Sequence, residues 1–326
     1  MDEYTNPPRL DDESLIIDSI ENDAERPQSG LSTYIGKSSA QFVEQFGKPN
    51  RVDVSLYGYE WWIYNSKETS YMQVGVQEET IVTIYAVGEN LELQPFKIGQ
   101  TIGEIYRTIL LQPEILVQID EGTYRFELTE EDLNIRPLIQ LGDIYAQLSI
   151  DKLTGKLFSI RFIDKETLVK MRPYELVYRG KLMSQEPLSE SEWRQVEEGT
   201  EKQIFDITNI LRERFEVTRL SWDEETAKVA FQHSEDMEKN QFFSHSSPHS
   251  GELTDRLDAQ DINYKMAGEN LAVQYIDGPA AVEGWLNSEA HRNILLEKEF
   301  THLGVGVYQK TYTQNFIKKD EKLNQD

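Results

Sequence analysis

The sequence predicts an α+β protein with two domains, the first of which contains an internal duplication. Three observations support this prediction. A chain of 326 residues is long enough for about two domains, a short motif recurs in its first half, and all five histidines fall in its last 94 residues. A stretch rich in Glu, Ser and Pro, typical of a linker, separates the two halves.

The composition excludes several classes of protein. The 33 Lys and Arg residues face 58 Asp and Glu residues, which gives a formal net charge of −25 and a pI near 4.6. Nucleic-acid binding requires a basic face, so we expect no nucleic-acid partner. The absence of cysteine removes disulfides, thiolate metal ligands and cysteine nucleophiles. No apolar run approaches the roughly 18 residues of a membrane-spanning helix, so no span is predicted in this chain.

Both ends of the chain are predicted to be solvated. Residues 1–30 contain nine acidic residues against two arginines, together with three prolines. This composition predicts an acidic tether, and the alternative is a short helix over LIIDSI that packs on the body. Residues 318–326 alternate lysines with acids and are predicted to be a frayed tail.

A motif in the first half occurs twice at a constant offset of 63 residues. The copies are IGKS (35–38) with Phe42 and Phe46, and IGQT (98–101) with Ile105 and Ile109. Each polar cap and amphipathic helix precedes β-rich runs: YEWWIYN (59–65), YMQVGVQ (71–77) and IVTIYAVG (81–88), then YRFEL (124–128), YAQLSID (145–151) and LFSIRFID (157–164). We predict a duplicated helix-plus-antiparallel-sheet domain over 31–183. The alternative is two unrelated α+β stretches that share a common cap.

The domain boundary is predicted at 184–200, within MSQEPLSESEWRQVEEG. Beyond it, one helix carries apolar residues at helical spacing: Ile204, Ile207, Ile210, Leu211 and Phe215. A second helix opens at SWDE (221–224), and its apolar face is Ala227, Ala230, Phe231, Ser234 and Met237. The second domain is therefore predicted over 201–317.

The second domain also contains the motifs that identify a family. They are LSWDEETAKVA, FFSHSSPHSGELTDRL, AGENLAV, AVEGWLNSEAHRNILL and THLGVGVYQKTYTQNF. In this order they resemble the bacterial form of the CAP superfamily, also called SCP or PR-1-like domains. The first half, with IGKSSAQFVEQFGKPNRV, YGYEWWIYN and PFKIG, resembles the CAP-associated domain that commonly precedes CAP in exported proteins of spore-forming bacteria.

The resemblance implies a CAP α-β-α sandwich with a cleft lined by two histidines and two acidic residues. The matching positions are His245 in FFSH, Glu269 in GEN and His291 in SEAHR. Where many relatives have Glu three residues after the Trp, this chain has Ser288, which Glu289 follows. The predicted ligand cleft therefore comprises His245, Glu269, Ser288, Glu289 and His291.

Two neutral imidazoles can bind a divalent cation while a nearby carboxylate orients a ligand or accepts a proton. We expect His245 and His291 to bind zinc or another divalent cation weakly, because no third protein ligand is assured. The alternatives are that His245 caps a turn and that His291 is a buried helix-end histidine. His233 and His249 are predicted to lie on the surface and His302 at the end of a strand, while Thr313 and Gln314 are predicted to be scaffold.

Three hypotheses of function follow. The first is an exported protein that binds a small ligand in the CAP cleft, with or without a divalent metal. The second is a hydrolase or peptidase that acts through His245, Glu269 and His291. The third is a partner-binding protein with a vestigial cleft. The expected partner is a small molecule, a peptide or a cell-envelope component, and the expected location is extracellular or tethered outside the membrane, with the signal or anchor absent from this chain.

Overall fold

The computed structural model describes residues 7–9 and 24–319, and the chain divides into two units, Met1–Pro187 and Leu188–Asp326. The division falls inside the predicted linker. Across the described residues, no helix combines the length and the apolar character needed to cross a membrane.

The first unit is built on an antiparallel sheet with the strand order β1-β2-β3-β4-β9-β8-β7. Its strands are β1 (Arg51–Val54), β2 (Glu60–Tyr64), β3 (Met72–Gln77), β4 (Thr80–Ala86), β7 (Leu138–Leu141), β8 (Ile144–Asp151) and β9 (Lys156–Ile163). A second sheet has the order β10-β6-β5, from β5 (Glu114–Ile119), β6 (Gly122–Glu127) and β10 (Glu175–Arg179).

Short helices complete the first unit: α1 (Ser39–Phe46), α2 (Ile102–Tyr106), α3 (Glu130–Ile135) and α4 (Lys165–Met171), with 3-10 turns at Leu31–Tyr34 and Glu68–Ser70. The predicted caps are confirmed, since Ser38 accepts the Ala40 N–H and Thr101 forms a capping box with Glu104. Phe42 and Ile105 occupy equivalent places in the two helices, and both are fully buried in one hydrophobic core.

The predicted repeat also appears in the backbone hydrogen bonds. The Gly36 N–H donates to the Ile81 carbonyl over 2.7 Å, and the Gly99 N–H donates to the Leu157 carbonyl over 2.8 Å. The offset is 99 − 36 = 63 residues at the donors and 157 − 81 = 76 at the acceptors, so the second copy carries 13 additional residues. Both glycines have φ above +80°, a conformation that favours glycine.

The two copies meet at the centre of the large sheet. Tyr85 of β4 pairs with Arg161 of β9, and their offset of 161 − 85 = 76 makes them equivalent residues. Because equivalent residues of the two copies pair directly with each other, a local two-fold axis that relates the copies passes through this pair. The buried Arg161 guanidinium lies 5.5 Å from the centroid of the Tyr85 ring and 5.7 Å from that of the Trp61 ring, a cation–π geometry.

Two details of the sequence prediction for this unit need correction. YRFEL forms a strand, β6, but β6 belongs to the smaller sheet, and the second copy enters the large sheet with β7. The described parts of the predicted tether contact the rest of the first unit. The backbone of Arg9 forms an isolated β-bridge with that of Tyr178, and the Arg26 side chain forms an ion pair of 2.9 Å with Asp143. The rest of 1–30, including LIIDSI, lies outside the described residues.

The second unit is the predicted α-β-α sandwich. Its sheet has the order β11-β13-β14-β12, formed by β11 (Ser221–Trp222), β12 (Tyr264–Val273), β13 (His302–Tyr308) and β14 (Thr311–Lys319). Its helices are α5 (Glu190–Arg214), α6 (Glu224–Lys239), α7 (Leu253–Asp258), α8 (Gly278–Leu286) and α9 (Glu289–Leu295). Lys318 and Lys319 of the predicted tail belong to β14, and residues 320–326 lie outside the described part.

Two neighbouring residues of β14 show which helices cover each face of this sheet. Thr313 Oγ1 lies 2.8 Å from Ser234 Oγ of α6, whereas Gln314 Nε2 donates to Thr208 Oγ1 of α5. Successive side chains of a strand point to opposite faces, so α6 covers one face and α5 the other. On the first face a Cβ at Gly306 would lie 1.9 Å from the Phe231 nitrogen, so only glycine allows α6 to approach this closely.

The predicted linker 184–200 is only partly a linker. Helix α5 begins at Glu190, where Ser189 and Glu192 form a capping box, so residues 190–200 are helical. The Glu-rich composition that suggested a linker also suits the first turns of a helix, where carboxylates interact favourably with the helix dipole. The non-helical connection is therefore confined to the residues before Glu190.

We predict that limited proteolysis cleaves between Gln185 and Leu188 rather than within 190–200. Helical backbone must open before a protease can cleave it, whereas an exposed connection is cleaved directly. Mass spectrometry of the first two fragments at low protease concentration would locate the cut. First cleavage inside 190–200 would contradict the helical assignment of that segment.

The first turns of α5 cover the free edge of β13. Glu201 Oε1 accepts the Val307 N–H over 3.2 Å, and Glu197 Oε1 accepts the Gln309 N–H over 2.9 Å. Arg194 Nη1 lies 3.5 Å from a carboxylate oxygen of both glutamates. Burial nevertheless raises the pKa of Glu201 to about 7, because burial disfavours the charged form.

The burial of Glu201 predicts that the free energy of unfolding depends on pH. The pKa of Glu201 is higher in the folded state than in the unfolded state. The contribution of Glu201 to the free energy of unfolding is therefore most favourable below pH 4.5 and declines as the pH rises to about 7. Glu201→Gln keeps an acceptor for the Val307 N–H without the charge. We expect it to raise the free energy of unfolding at pH 8 by about 1–3 kcal/mol and to change little near pH 4.5.

Urea denaturation at both pH values would measure this difference. The matched control is Glu198→Gln on the same helix, since Glu198 also contacts Arg194 but is half exposed. Equal effects of the two variants at pH 8 would contradict the role assigned to the burial of Glu201.

Candidate functional site

The candidate site is organised around Glu269 on β12. The Glu269 side chain is almost fully buried, and its two oxygens have different partners. Oε1 lies 2.9 Å from His245 Nδ1, and Oε2 lies 2.5 Å from Arg256 Nη2. One buried carboxylate therefore binds a histidine and an arginine together, which satisfies the requirement that a buried charge be paired.

Arg256 of α7 also fixes the loop that carries His245. Its Nη1 donates to the carbonyls of His245 and Gly251, each over 2.9 Å. The guanidinium is buried and planar, so these bonds hold the loop and Glu269 in one fixed arrangement. The sequence analysis did not identify Arg256, and its position near Leu253 and Leu257 on a short helix gave no signal of this role.

The second histidine has a neutral partner. His291 Nδ1 lies 2.8 Å from Ser288 Oγ. Helix α8 ends at Leu286, and Ser288 is the N-cap of α9. His291 is the third residue of α9, and the N-cap and the third helical residue approach each other, as in a capping box.

The two histidines approach β12 from opposite faces of the sheet. Glu269 points to the face of α6, where its carboxylate meets His245. Asn270, the next residue, points to the other face, where its Nδ2 donates to the His291 carbonyl over 3.2 Å. The segments that carry His245 and His291 therefore reach neighbouring residues of β12 from opposite faces.

The surroundings shift the pKa values of the two histidines in opposite directions. The hydrogen bond to Glu269 raises the pKa of His245, whose side chain is 59% exposed. Burial, with the charge of His245 as a second cause, lowers the pKa of His291. The first proton therefore binds at His245, and His291 stays neutral at a pH where His245 is already charged.

His233 was predicted to lie on the surface, and this prediction is wrong. Its side chain is 0% exposed, and its Nε2 lies 3.0 Å from the Ser244 carbonyl and 4.0 Å from Glu269 Oε1. Burial lowers the pKa of His233. The signal was present in the sequence, because His233 lies three residues after Ala230 and four before Met237, on the predicted apolar face of α6.

The other residues named from the sequence have different surroundings. Glu289 is exposed in the first turn of α9. His249 is exposed, and its Nδ1 lies 2.9 Å from Asp236 Oδ1. His302 is the first residue of β13. Thr313 and Gln314 are buried in β14, where Gln314 accepts a hydrogen bond from Asn270.

The donor set offers two nitrogen ligands to a metal. Both Nδ1 atoms are engaged, so the Nε2 atoms of His245 and His291 are the nitrogens available to a cation. Within residues 7–9 and 24–319, no group of three or more His, Cys, Asp or Glu side chains is arranged to hold a metal ion. Two imidazoles fit weak binding of zinc with open positions, and do not fit a closed structural site.

Comparison with protein families agrees with this description. Residues 35–174 match the model of the CAP-associated N-terminal domain, and residues 205–318 match that of the cysteine-rich secretory protein family, CAP. This chain belongs to the CAP family and carries the CAP-associated domain in front. It contains no cysteine, so the feature in the family's name is not part of its cleft.

Two relatives come from Bacillus subtilis strain 168. An uncharacterized membrane protein, YlbC, is 48% identical over 293 residues, which cover 90% of this chain and 85% of the relative. An uncharacterized protein, YkwD, is 38% identical over 121 residues, which cover 36% of this chain and 47% of the relative.

Two solved structures share the whole architecture. An extracellular protein with an SCP domain from Bacillus anthracis strain Ames has a TM-score of 0.86 at 43% identity, covering 93% of this chain and all of that one. A cysteine-rich secretory protein from Staphylococcus aureus Mu50 has a TM-score of 0.79 at 28% identity, covering 91% and 97%.

The ion pair at the centre of the site predicts a strong effect on stability. Arg256→Met leaves the Glu269 carboxylate buried without its cation, and Glu269→Gln leaves the Arg256 guanidinium without its anion. We expect each to lower the free energy of unfolding by about 3–5 kcal/mol, and the double variant to cost less than the sum. Chemical denaturation monitored by circular dichroism would measure all three.

Lys228→Met is the matched control, since Lys228 forms an exposed ion pair with Glu225 on α6. We expect Lys228→Met to lower the free energy of unfolding by less than about 1 kcal/mol. If Arg256→Met were no more destabilising than this control, the central role of the buried ion pair would be wrong.

Proposed function

We propose that this protein binds a small ligand in the CAP cleft between His245 and His291. The observation behind this proposal is that each imidazole is oriented through Nδ1, His245 by Glu269 and His291 by Ser288. Orientation through Nδ1 leaves Nε2 of each ring as the nitrogen available to a ligand, and polar groups that converge in a cleft are typical of a ligand site. The hydrolase and vestigial-cleft hypotheses have no separate observation in their favour.

We further propose that a divalent cation such as zinc binds weakly at the two Nε2 atoms. When bound, the cation would polarise a ligand oxygen or a water molecule. The residues of the chain supply the arrangement: Glu269 accepts the Nδ1 proton of His245, and in the tautomer that leaves the Nε2 lone pair of His291 for a cation, His291 Nδ1 donates to Ser288 Oγ.

The proposed location is outside the cell, either free or tethered to the outer face of the membrane. The similar protein from Bacillus anthracis is described as extracellular, and the similar protein from Bacillus subtilis is described as a membrane protein. Fractionation of the native organism, with an antibody against this chain, would test the location.

Isothermal titration with zinc tests the metal site. We expect one weak site at pH 7.5, and a loss of at least about tenfold in affinity for His245→Ala and for His291→Ala, since each removes one of two nitrogen ligands. Affinity should fall as the pH drops, and the fall should begin above the usual histidine range because the pKa of His245 is raised.

His249→Ala is the control, because His249 is equally exposed and is also bonded to a carboxylate through Nδ1. It should bind zinc like the wild type. A zinc isotherm that is unchanged in the His245→Ala/His291→Ala double variant would overturn the assignment.

A further inference from the structure

His233 is a third histidine beside the site, and the proposed function does not use it. It lies on α6, and its side chain is 0% exposed. Its Nε2 atom lies 3.0 Å from the Ser244 carbonyl oxygen and 4.0 Å from Glu269 Oε1. The first distance is that of a hydrogen bond, and the second is too long for one. His233 is therefore bonded to the loop that carries His245, and it flanks Glu269 without a bond to it.

The Ser244 carbonyl fixes the tautomer of His233. A carbonyl oxygen only accepts hydrogen bonds, so the Nε2 atom must carry a proton and donate it. Burial lowers the pKa of His233, so at neutral pH the ring is neutral and has one N–H group. The Nδ1 atom is then unprotonated, and it is buried with no hydrogen-bond partner among the described residues. The ring thus commits its N–H group to the main chain next to His245.

Two successive carbonyls of this loop are held from two different helices. His233 of α6 binds the carbonyl of Ser244, and Arg256 of α7 binds that of His245. These carbonyls belong to the peptide planes on the two sides of the His245 α-carbon. With both planes fixed, the direction in which the His245 side chain leaves the main chain is fixed as well. The remaining side-chain torsions are set by the bond from Nδ1 to Glu269.

His233 and Arg256 hold the loop in different ways. Arg256 binds Glu269 and the loop together, so its loss removes the ion pair as well as the loop contact. His233 binds the loop through one neutral hydrogen bond, and its buried ring lies beside Oε1 of Glu269. A change at His233 can therefore displace His245 while the buried ion pair remains.

We infer that His233 is a positioning residue of the site: its Nε2–H group holds the Ser244 carbonyl so that the His245 imidazole meets Glu269 at hydrogen-bond distance. The inference rests on the proposed ligand-binding role of the cleft and names a further residue on which that role depends. An apolar side chain of similar size would leave a buried carbonyl without a partner, which is costly. The loop would then shift until water reaches that carbonyl, and His245 would move with it.

The test compares two variants that differ in the hydrogen-bond donor. His233→Gln keeps an N–H donor on a side chain of similar length, whereas His233→Leu removes it. The Nδ1 proton of His245, observed by NMR in the isotope-labelled full chain, reports the bond to Glu269 directly. We expect this proton to exchange with solvent at least about tenfold faster in His233→Leu and less than about twofold faster in His233→Gln, because the bond to the carboxylate protects it.

Zinc affinity is the second readout. We expect it to fall by about tenfold in His233→Leu and by less than about twofold in His233→Gln, since groups that orient a metal ligand typically affect affinity to this extent. Gln232→Leu is the matched control, because Gln232 is the exposed neighbour of His233 on α6. It should leave both the proton exchange and the zinc affinity at their wild-type values.

A merely structural role of His233 predicts a different result. Folded His233→Leu would then be less stable but would keep the wild-type values of both readouts, and this result would overturn the inference. If His233→Leu does not fold, imidazole nitrogen chemical shifts of the wild type decide. A proton on Nε2 of His233 supports the inference, and a proton on Nδ1 instead overturns it.

The same experiments separate this inference from the proposed function. If the wild type binds no zinc but the His245 proton still exchanges faster in His233→Leu, the metal is removed from the proposal and the positioning role stands. If zinc binding depends on His245 and His291 but neither readout changes in His233→Leu, the positioning role is wrong and the proposed function stands.

Discussion

The buried carboxylate of Glu269 is the group on which the rest of the site depends. It pairs with Arg256, and that arginine binds the carbonyls of His245 and Gly251. The same carboxylate orients the His245 ring through Nδ1. An isolated buried charge would be costly, so Glu269, Arg256 and the loop must assemble together or not at all. This ion pair therefore contributes both to the stability of the domain and to the geometry of the loop that carries His245.

The fold places this ion pair beside the edge strand β12, between the helical layers that pack on the two faces of the sheet. Neighbouring residues of β12 point to opposite faces, so Glu269 and Asn270 reach the two histidine-bearing segments without any break in the strand. Close packing of α6 on the glycines of β13 holds the sheet rigidly on one side. The helices α8 and α9 bring His291 from the other.

Local patterns in the sequence predicted local features well. The caps at Ser38 and Thr101, the repeat offset and the amphipathic helices depend on neighbours within a few residues, and the structure confirms them. His245 and Glu269 were found through the family motif, because spacing alone does not bring residues 24 apart into contact. The burial of His233 was missed although its place on the apolar face of α6 indicated it, whereas its contact with the Ser244 carbonyl depends on a loop that no local pattern describes.

The serine at position 288 changes the electrostatics that the family resemblance implied. Two acidic residues would give the cleft two negative charges, whereas here Glu269 is its one carboxylate and Arg256 neutralises it. Ser288 orients His291 without adding charge, and burial lowers the pKa of that imidazole. A divalent cation on the two Nε2 atoms would therefore retain nearly its whole charge in a partly buried place, which is unfavourable unless the ligand supplies an anion. If a divalent cation binds at this place, we expect it to bind more tightly together with an anionic ligand than alone, because Ser288 supplies no negative charge.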